Sequence, residues 1–290
     1  MTNRRIAVIL NAKARSGQKL FDRVSELVGD EAEFIVLSRR PQDQHEAIER
    51  AKREGIENVW IGGGDGSVRA AASALAGTSV VLSILPLGTG NALAHELEIP
   101  MEIEAAIHFH LYEAHIRYID VGTFNDEVFV NVATLGLTSR IMEQVQASDK
   151  GTFGRLVYLP AVARAYSATR PFHIRVETNE GTFDGKAMQF VAASTRLHAG
   201  PFPVSRDAEI DDGRLSIYVV EATTQKNLMR YGAALLLGQQ TRLPEVWNVE
   251  TELAKVTLQR TRRFVVDGDA FKARAVTIGV RNVALAVTAR

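Results

Sequence analysis

Two glycine-rich segments carry the residues best suited to chemistry: Gly62-Gly63-Gly64-Asp65-Gly66-Ser67 and Pro86-Leu87-Gly88-Thr89-Gly90-Asn91. Each follows a short apolar run and opens directly into a helical pattern. That arrangement exposes backbone N–H groups at the positive end of a helix dipole, which suits phosphate. Asp65 is the odd member, because a carboxylate inside a phosphate loop repels its ligand unless a divalent cation stands between them. Magnesium meets that need, since it takes carboxylate, water and phosphate oxygens together. A third segment, Asn11 to Gly17, adds Lys13 and Arg15, with Lys19 just beyond. Glycine after a strand is often turn chemistry alone; two such loops, an aspartate and a basic loop together point to phosphate binding.

Common nucleotide signatures are missing. The chain has no Gly-x-x-x-x-Gly-Lys-Ser/Thr loop. Gly62, Gly64 and Ser67 lack the third glycine of Gly-x-Gly-x-x-Gly, and neither the His-Arg-Asp nor the Asp-Phe-Gly motif occurs. Lys plus Arg and Asp plus Glu each total 34, so the formal net charge is zero and no basic excess exists to neutralise nucleic-acid phosphates. Cysteine is absent, which excludes disulfides, thiolate metal sites and cysteine nucleophiles. His108, His110 and His115 lack the His-Glu-x-x-His arrangement and read as a helix followed by an exposed stretch, not a metal site.

The elements that must position these loops follow from periodicity. Apolar runs at 6–10, 34–37, 59–61 and 80–85 alternate with helical patterns at 20–28, 44–54 and 68–76. Strand–helix repetition of this kind specifies a parallel sheet with helical crossovers. Ligands bind outside the carboxyl ends of such strands, where 11–17, 38–40, 62–67 and 86–91 all fall. After Asp120 the rhythm becomes short β-branched strands separated by Asn-Glu-Gly, Asp-Asp-Gly and Asp-Gly turns, with helical patterns at 139–145 and 155–168. The expected architecture is an α/β domain over 1–121 and a mainly antiparallel β-sandwich over 122–290. By itself Asp267-Gly268 reads as a two-residue hairpin turn. Asp211-Asp212-Gly213 reads as a turn, and Asp120 as a salt-bridged interdomain residue. The segment 154–170 reads as an amphipathic helix on the sandwich or, through Arg155, Arg164 and Arg170, as a surface for anionic lipid. The apolar run at 6–10 is shorter than a signal-peptide core, and no run approaches the roughly 18 residues of a membrane span. A cytoplasmic enzyme is therefore expected.

Gly63-Gly-Asp-Gly-Ser67 followed by Pro86-Leu-Gly-Thr-Gly-Asn91 resembles the diacylglycerol kinase catalytic domain of bacterial lipid kinases, a family related to sphingosine kinases and distantly to NAD kinases. Asn11 and Ser16-Gly17 resemble its first phosphate loop, with Ala12 in place of the usual proline. Ser38 stands where a nucleotide-contacting threonine is common. Ile119-Asp120-Val-Gly122, Phe129-Val-Asn131 with Gly136, Asp212-Gly213-x-Leu215 and Val266-Asp267-Gly268-Asp269 resemble later family stretches in the same order.

The resemblance implies ATP held by Asn11, Ser16, Gly17, Ser38, Gly62 to Ser67, Gly88, Thr89 and Asn91. It implies magnesium near Asp65 and Asp120, and a second, structural magnesium at Asp212 with the main-chain carbonyls of Glu209 and Arg214. Asp269 would accept the proton of a lipid hydroxyl, in place of the family's usual and longer Glu. The lipid partner implies peripheral contact with the inner membrane face. Two alternatives stand beside this lipid kinase: a nucleotide- or lipid-binding protein of the same fold with impaired catalysis, and an NAD kinase. The latter's Asn-Glu pair after the Gly-Gly-Asp-Gly loop is absent here.

Overall fold

The computed structural model describes residues 5–12, 17–137, 170–195, 197–198, 202–203, 210–221, 227, 230–231, 234 and 239–290. Ser16, Glu209 and the helices expected at 139–145 and 155–168 lie outside these residues, as does the segment 154–169.

The first part alternates as its periodicity requires. Strands β1 (Ile6–Asn11), β2 (Ala32–Ser38), β3 (Asn58–Gly63) and β4 (Val81–Pro86) are joined through helices α1 (Gly17–Val28), α2 (Pro41–Arg53) and α3 (Asp65–Leu75). Strands β1, β3 and β4 are buried almost throughout, which explains their unbroken apolar runs. Helix α2 starts where Pro41 presets the backbone and the Asp43 carboxylate accepts the N–H groups of Arg39 and Arg40 at 3.0 and 2.9 Å. Short helices α4 (Ala92–Glu96) and α5 (Ile103–His108) follow, the latter running into a π-helical turn at Phe109–Glu113.

The remainder is built from β5 (His115–Phe124), β6 (Glu127–Phe129), β7 (Val132–Gly136), β8 (Phe172–Thr178), β9 (Thr182–Ala193), β10 (Leu197–His198), β11 (Phe202–Pro203), β12 (Leu215–Glu221), β13 (Val246–Thr251), β14 (Leu253–Val266) and β15 (Asp269–Ala289). Apart from one parallel contact of β15 with β4, their pairings are antiparallel. The main sheet runs in the order β13-β12-β9-β7-β14-β15-β4-β3-β1-β2. Two apolar cores result. One is packed around Trp60, Leu85 and Phe109, the other around Phe190, Phe264 and Ile278.

Strand β15 serves both cores. Sequence patterning separates 275–280 from 283–287, whereas the structure makes them one strand of 21 residues with a register shift between Arg281 and Leu285. Val276 and Ile278 pack in the second core, while Leu285 and Val287 pack in the first. Val283, at the bulge, has φ +43°, a left-handed conformation that a β-branched residue rarely adopts.

The stretch is helical through Glu113 and exposed at His115, as expected, but His110 on the inner side of the helical part is buried. One ring nitrogen, Nε2, lies 2.8 Å from the Ile84 carbonyl and the other, Nδ1, 3.1 Å from the Thr288 hydroxyl. Further contacts join Thr288 to Ser83 and Ser83 to Asn58, so a line of polar side chains crosses β15, β4 and β3 within the core. Burial pushes the imidazole down to about 4, against the opposing pull of the Ile84 carbonyl. A folded value below the ordinary 6.5 contributes stability above pH 6.5 that is lost as pH falls through 4. The difference corresponds to about 3 kcal/mol. This contribution should show as the difference between the pH dependence of the parent and that of His110→Gln in denaturant titrations from pH 4 to pH 6.5.

Candidate active site

The parallel strands end level with one another. Asn11 pairs with Ser38, Leu10 with Gly62, and Gly63 with Pro86, so the segments after them share one edge. The Ala12 N–H donates to the Ser38 carbonyl at 2.8 Å, and Asn11 Nδ2 donates to Ser67 Oγ at 2.9 Å. Ser67 is thereby drawn inward and buried, on the first turn of α3.

The two glycine-rich loops touch through their backbones. A Cβ on Gly88 would lie 2.5 Å from the Gly64 Cα, and one on Gly64 would lie 3.2 Å from the Gly88 Cα. Only paired glycines allow that approach. The Leu87 N–H also donates to the Gly63 carbonyl at 3.0 Å. Asn91, at φ +48°, closes its own loop: its Oδ1 accepts the Gly88 N–H at 2.9 Å and its Nδ2 donates to the Gly88 carbonyl at 3.0 Å. Thr89 stands exposed at the tip.

Asp65 ties the loops together. Its carboxylate accepts the N–H groups of Asn91 at 3.0 Å and Ala92 at 2.7 Å, so the first residue of α3 caps α4. At the start of α3 the Ser67 and Val68 N–H groups bond back to the Gly64 carbonyl. The Asp65 and Gly66 N–H groups precede them at the helix N-terminus, where no intrahelical carbonyl exists. Among the described residues, no atom beyond its chain neighbours and its own helix backbone lies within 4 Å of where a Gly66 Cβ would stand, and Gly66 is exposed, so α3 presents this end outward.

The β14–β15 hairpin brings the second half of the protein to the same helix. Asp267 and Gly268, with φ +46° and +94°, form the two-residue turn read from the sequence, and Asp269 pairs with Val266 just after it. The Asp269 carboxylate forms an ion pair with Arg69 Nη2, one turn along α3 from Asp65. Arg69 Nη1 also lies 3.9 Å from Glu127 on β6. The turn is held from below: Asp267 is buried, and its carboxylate accepts the N–H groups of Val130, Asn131 and Val132 at 2.7, 3.0 and 2.8 Å. Burial pushes the Asp267 carboxyl up to about 6, against those three donors and the nearby Arg69 charge.

Residues 5–124 match the model of the diacylglycerol kinase catalytic domain, and residues 131–289 match that of the YegS C-terminal NAD kinase beta sandwich-like domain. The chain belongs to the diacylglycerol kinase catalytic-domain family. Among its relatives is a diacylglycerol kinase of Staphylococcus epidermidis, 25% identical over 266 residues, covering 88% of this chain and 83% of the relative. Another, named as a YegS-like lipid kinase, comes from Pseudomonas syringae; it is 29% identical over 225 residues, or 77% of this chain and 73% of the relative. A crystal structure of a Bacillus anthracis protein named as a diacylglycerol kinase superposes with a TM-score of 0.82 at 18% identity, covering 99% of this chain and 95% of that one. Membership makes the protein a kinase, a phosphotransferase, with the two-part architecture of the family.

Within that family frame, the remaining acidic residues have separate surroundings. Asp120 is buried in β5; its Oδ2 accepts the Gly213 N–H and its Oδ1 the Val283 N–H, both at 2.6 Å. It therefore joins the Asp212-Gly213 turn to the β15 bulge, and its partners are backbone N–H groups rather than the cation of a salt bridge. Asp212 is exposed and accepts the Arg214 N–H at 2.8 Å through Oδ1. Arg117 pairs with the adjoining Asp211 at 2.8 Å. Among the described residues no group of three His, Cys, Asp or Glu side chains is arranged to hold a metal ion. Asp65 suits magnesium better than Asp120. It stands half-buried at the open end of α3, and magnesium is usually held by one or two carboxylates together with substrate phosphates. Asp120 lies in a closed interior, 1% exposed.

Sequence reasoning passed over Arg69 and treated Asp267 only as part of a turn. One signal for Arg69 was available: it is the sole charged residue between Gly66 and Leu75, in an otherwise small and apolar helix. No local signal revealed Asp267, whose three donors lie more than 130 residues earlier in the chain.

Proposed function

We propose that the protein transfers the γ-phosphate of ATP to a hydroxyl group of a membrane lipid. The observation that carries this reading is the Arg69–Asp269 pair, which sets a carboxylate from the second half of the chain against the helix whose N-terminus opens between the two glycine-rich loops. The backbone of Gly62 to Ser67, with Gly88, Thr89, Asn91, Asn11, Ser38 and the segment at Ser16-Gly17, would hold the nucleotide phosphates. Magnesium, when bound at Asp65, supplies charge neutralisation on the phosphoryl group. Asp269 removes the proton from the lipid hydroxyl through Oδ1, since Oδ2 faces Arg69. The lipid oxygen then bonds to the γ-phosphorus as the bond to the β–γ bridging oxygen breaks and ADP leaves. Positioning and charge stabilisation dominate such reactions. Asp212, with the Glu209 and Arg214 carbonyls, would in this reading hold a second, structural magnesium, and Asp120 secures the Gly213 turn beside it.

No helix among the described residues is long and apolar enough to cross a membrane. A lipid substrate is then reached from the surface, by a cytoplasmic protein at the inner membrane face. A panel of diacylglycerol, phosphatidylglycerol and sphingoid-base vesicles incubated with γ-labelled ATP and magnesium should yield one labelled lipid. Asp269→Asn should lower its rate of formation about 10²–10⁴-fold, the usual contribution of a general base. Nucleotide binding without a labelled lipid anywhere in the panel would instead mark a binding protein of the same fold.

A further inference from the structure

Arg69 holds an unusual place. Its side chain is only 15% exposed, yet it faces Asp269, which is 58% exposed, and Glu127, which is 53% exposed. Its positive charge also acts on the buried Asp267. Three carboxylates from beyond residue 121 thus interact with one guanidinium on α3. Its Nε is buried and makes no hydrogen bond among the described residues, so the group is held by charge and packing at its outer nitrogens. An aspartate this exposed, at the first position of β15 beside a two-residue turn, would otherwise sample several rotamers.

We propose that Arg69 is the positioning residue for Asp269: anchored on α3, it fixes one carboxylate oxygen at a set distance from the phosphate-binding end of the same helix and leaves the other to take the proton. This rests on the functional reading above. The physical logic is that α3 is rigid between Asp65 and Arg69, so a base gripped by Arg69 is indexed to the phosphates and not to its own hairpin alone. A fixed index matters most for a short acid, whose reach cannot be adjusted by an extra methylene.

The test is a double-mutant cycle on lipid phosphorylation, using Arg69→Met, Arg69→Lys, Asp269→Asn and the combination of Arg69→Met with Asp269→Asn. Arg69→Met should lower kcat about 10–100-fold, the scale of a small misplacement of a catalytic group. The KM for ATP should stay within about twofold, and Arg69→Lys should recover part of the loss because a cation remains. In the Asp269→Asn background, Arg69→Met should change kcat by less than about twofold, since the group it positions no longer acts. Equal losses in both backgrounds, or a parent-like kcat in Arg69→Met, would overturn the proposal. If Asp269→Asn itself keeps parental activity, the functional reading fails instead, and the two failures are thus distinct. Amide hydrogen exchange gives a readout independent of turnover. Residues 267–270 should exchange several-fold faster in Arg69→Met while β1 and β3 stay unchanged; unchanged exchange at the tip would refute the anchoring.

Discussion

Replacing Asp65 with asparagine should abolish phosphoryl transfer and also lower the melting temperature. A carboxylate that merely held magnesium could be exchanged for an amide with little effect on folding. Asp65 does more, because both oxygens accept backbone N–H groups from Asn91 and Ala92. An amide presents an NH2 to one of those donors, so one charged hydrogen bond is lost and a repulsive contact replaces it. Hydrogen bonds to charged groups contribute about 1.5–3 kcal/mol. At roughly 2–4 °C per kcal/mol for domains of this size, the melting temperature should fall by about 5 °C. Turnover should fall at least about 100-fold, since the second glycine loop loses its register with the first. Calorimetry and the lipid assay read these effects separately. Parental turnover in a less stable variant would leave Asp65 as a structural tie alone, and an unchanged melting temperature would remove the tie.

The larger effect on stability belongs to Asp267→Ala. It strips the acceptor from three backbone N–H groups in the interior, those of Val130, Asn131 and Val132. Each abandoned donor costs about 1–3 kcal/mol, so a total near 3–5 kcal/mol is expected, with loss of the hairpin tip that presents Asp269. Asp267 also gives the protein a particular pH dependence. Its folded value of about 6 lies above the ordinary 3.8, so its contribution is complete below pH 3.8 and is lost as pH rises through 6. The span corresponds to about 3 kcal/mol. His110 has the opposite slope over nearly the same window, gaining as pH rises from 4 to 6.5. The two should largely cancel in the parent. In Asp267→Asn the stability should then fall as pH drops from 6.5 to 4, and in His110→Gln it should fall as pH rises from 4 to 6. Parallel curves for all three proteins would refute both assignments.

The parallel sheet was legible because buried strands such as Ile6–Asn11 and amphipathic helices such as Pro41–Arg53 leave different local periods in the chain. The glycine-rich loops were legible because their backbone approach admits no side chain, as Gly64 against Gly88 demonstrates. The Asp267-Gly268 turn was likewise written locally, in two residues that tolerate positive φ. The burial of His110 was not, because it depends on Ile84 and Thr288, supplied by two other strands. The continuity of β15 was hidden for a similar reason. Its bulge at Val283 is held by Asp120, far earlier in the chain, and breaks the alternation that periodicity reads.

What the amino-acid sequence determined alone is the set of local conformations: which stretches are strands or helices, where turns fall, and where backbone is left bare for phosphate. Only the tertiary structure decided which acid serves which neighbour. Asp65, Asp120, Asp267 and Asp269 are the same side chain, and a carboxylate's behaviour depends on the donors and charges within a few ångströms of it. Those neighbours come from remote segments: Asn91 and Ala92, Gly213 and Val283, the strand entry at 130–132, and Arg69. Chain folding brings them together, and no local pattern encodes the meeting.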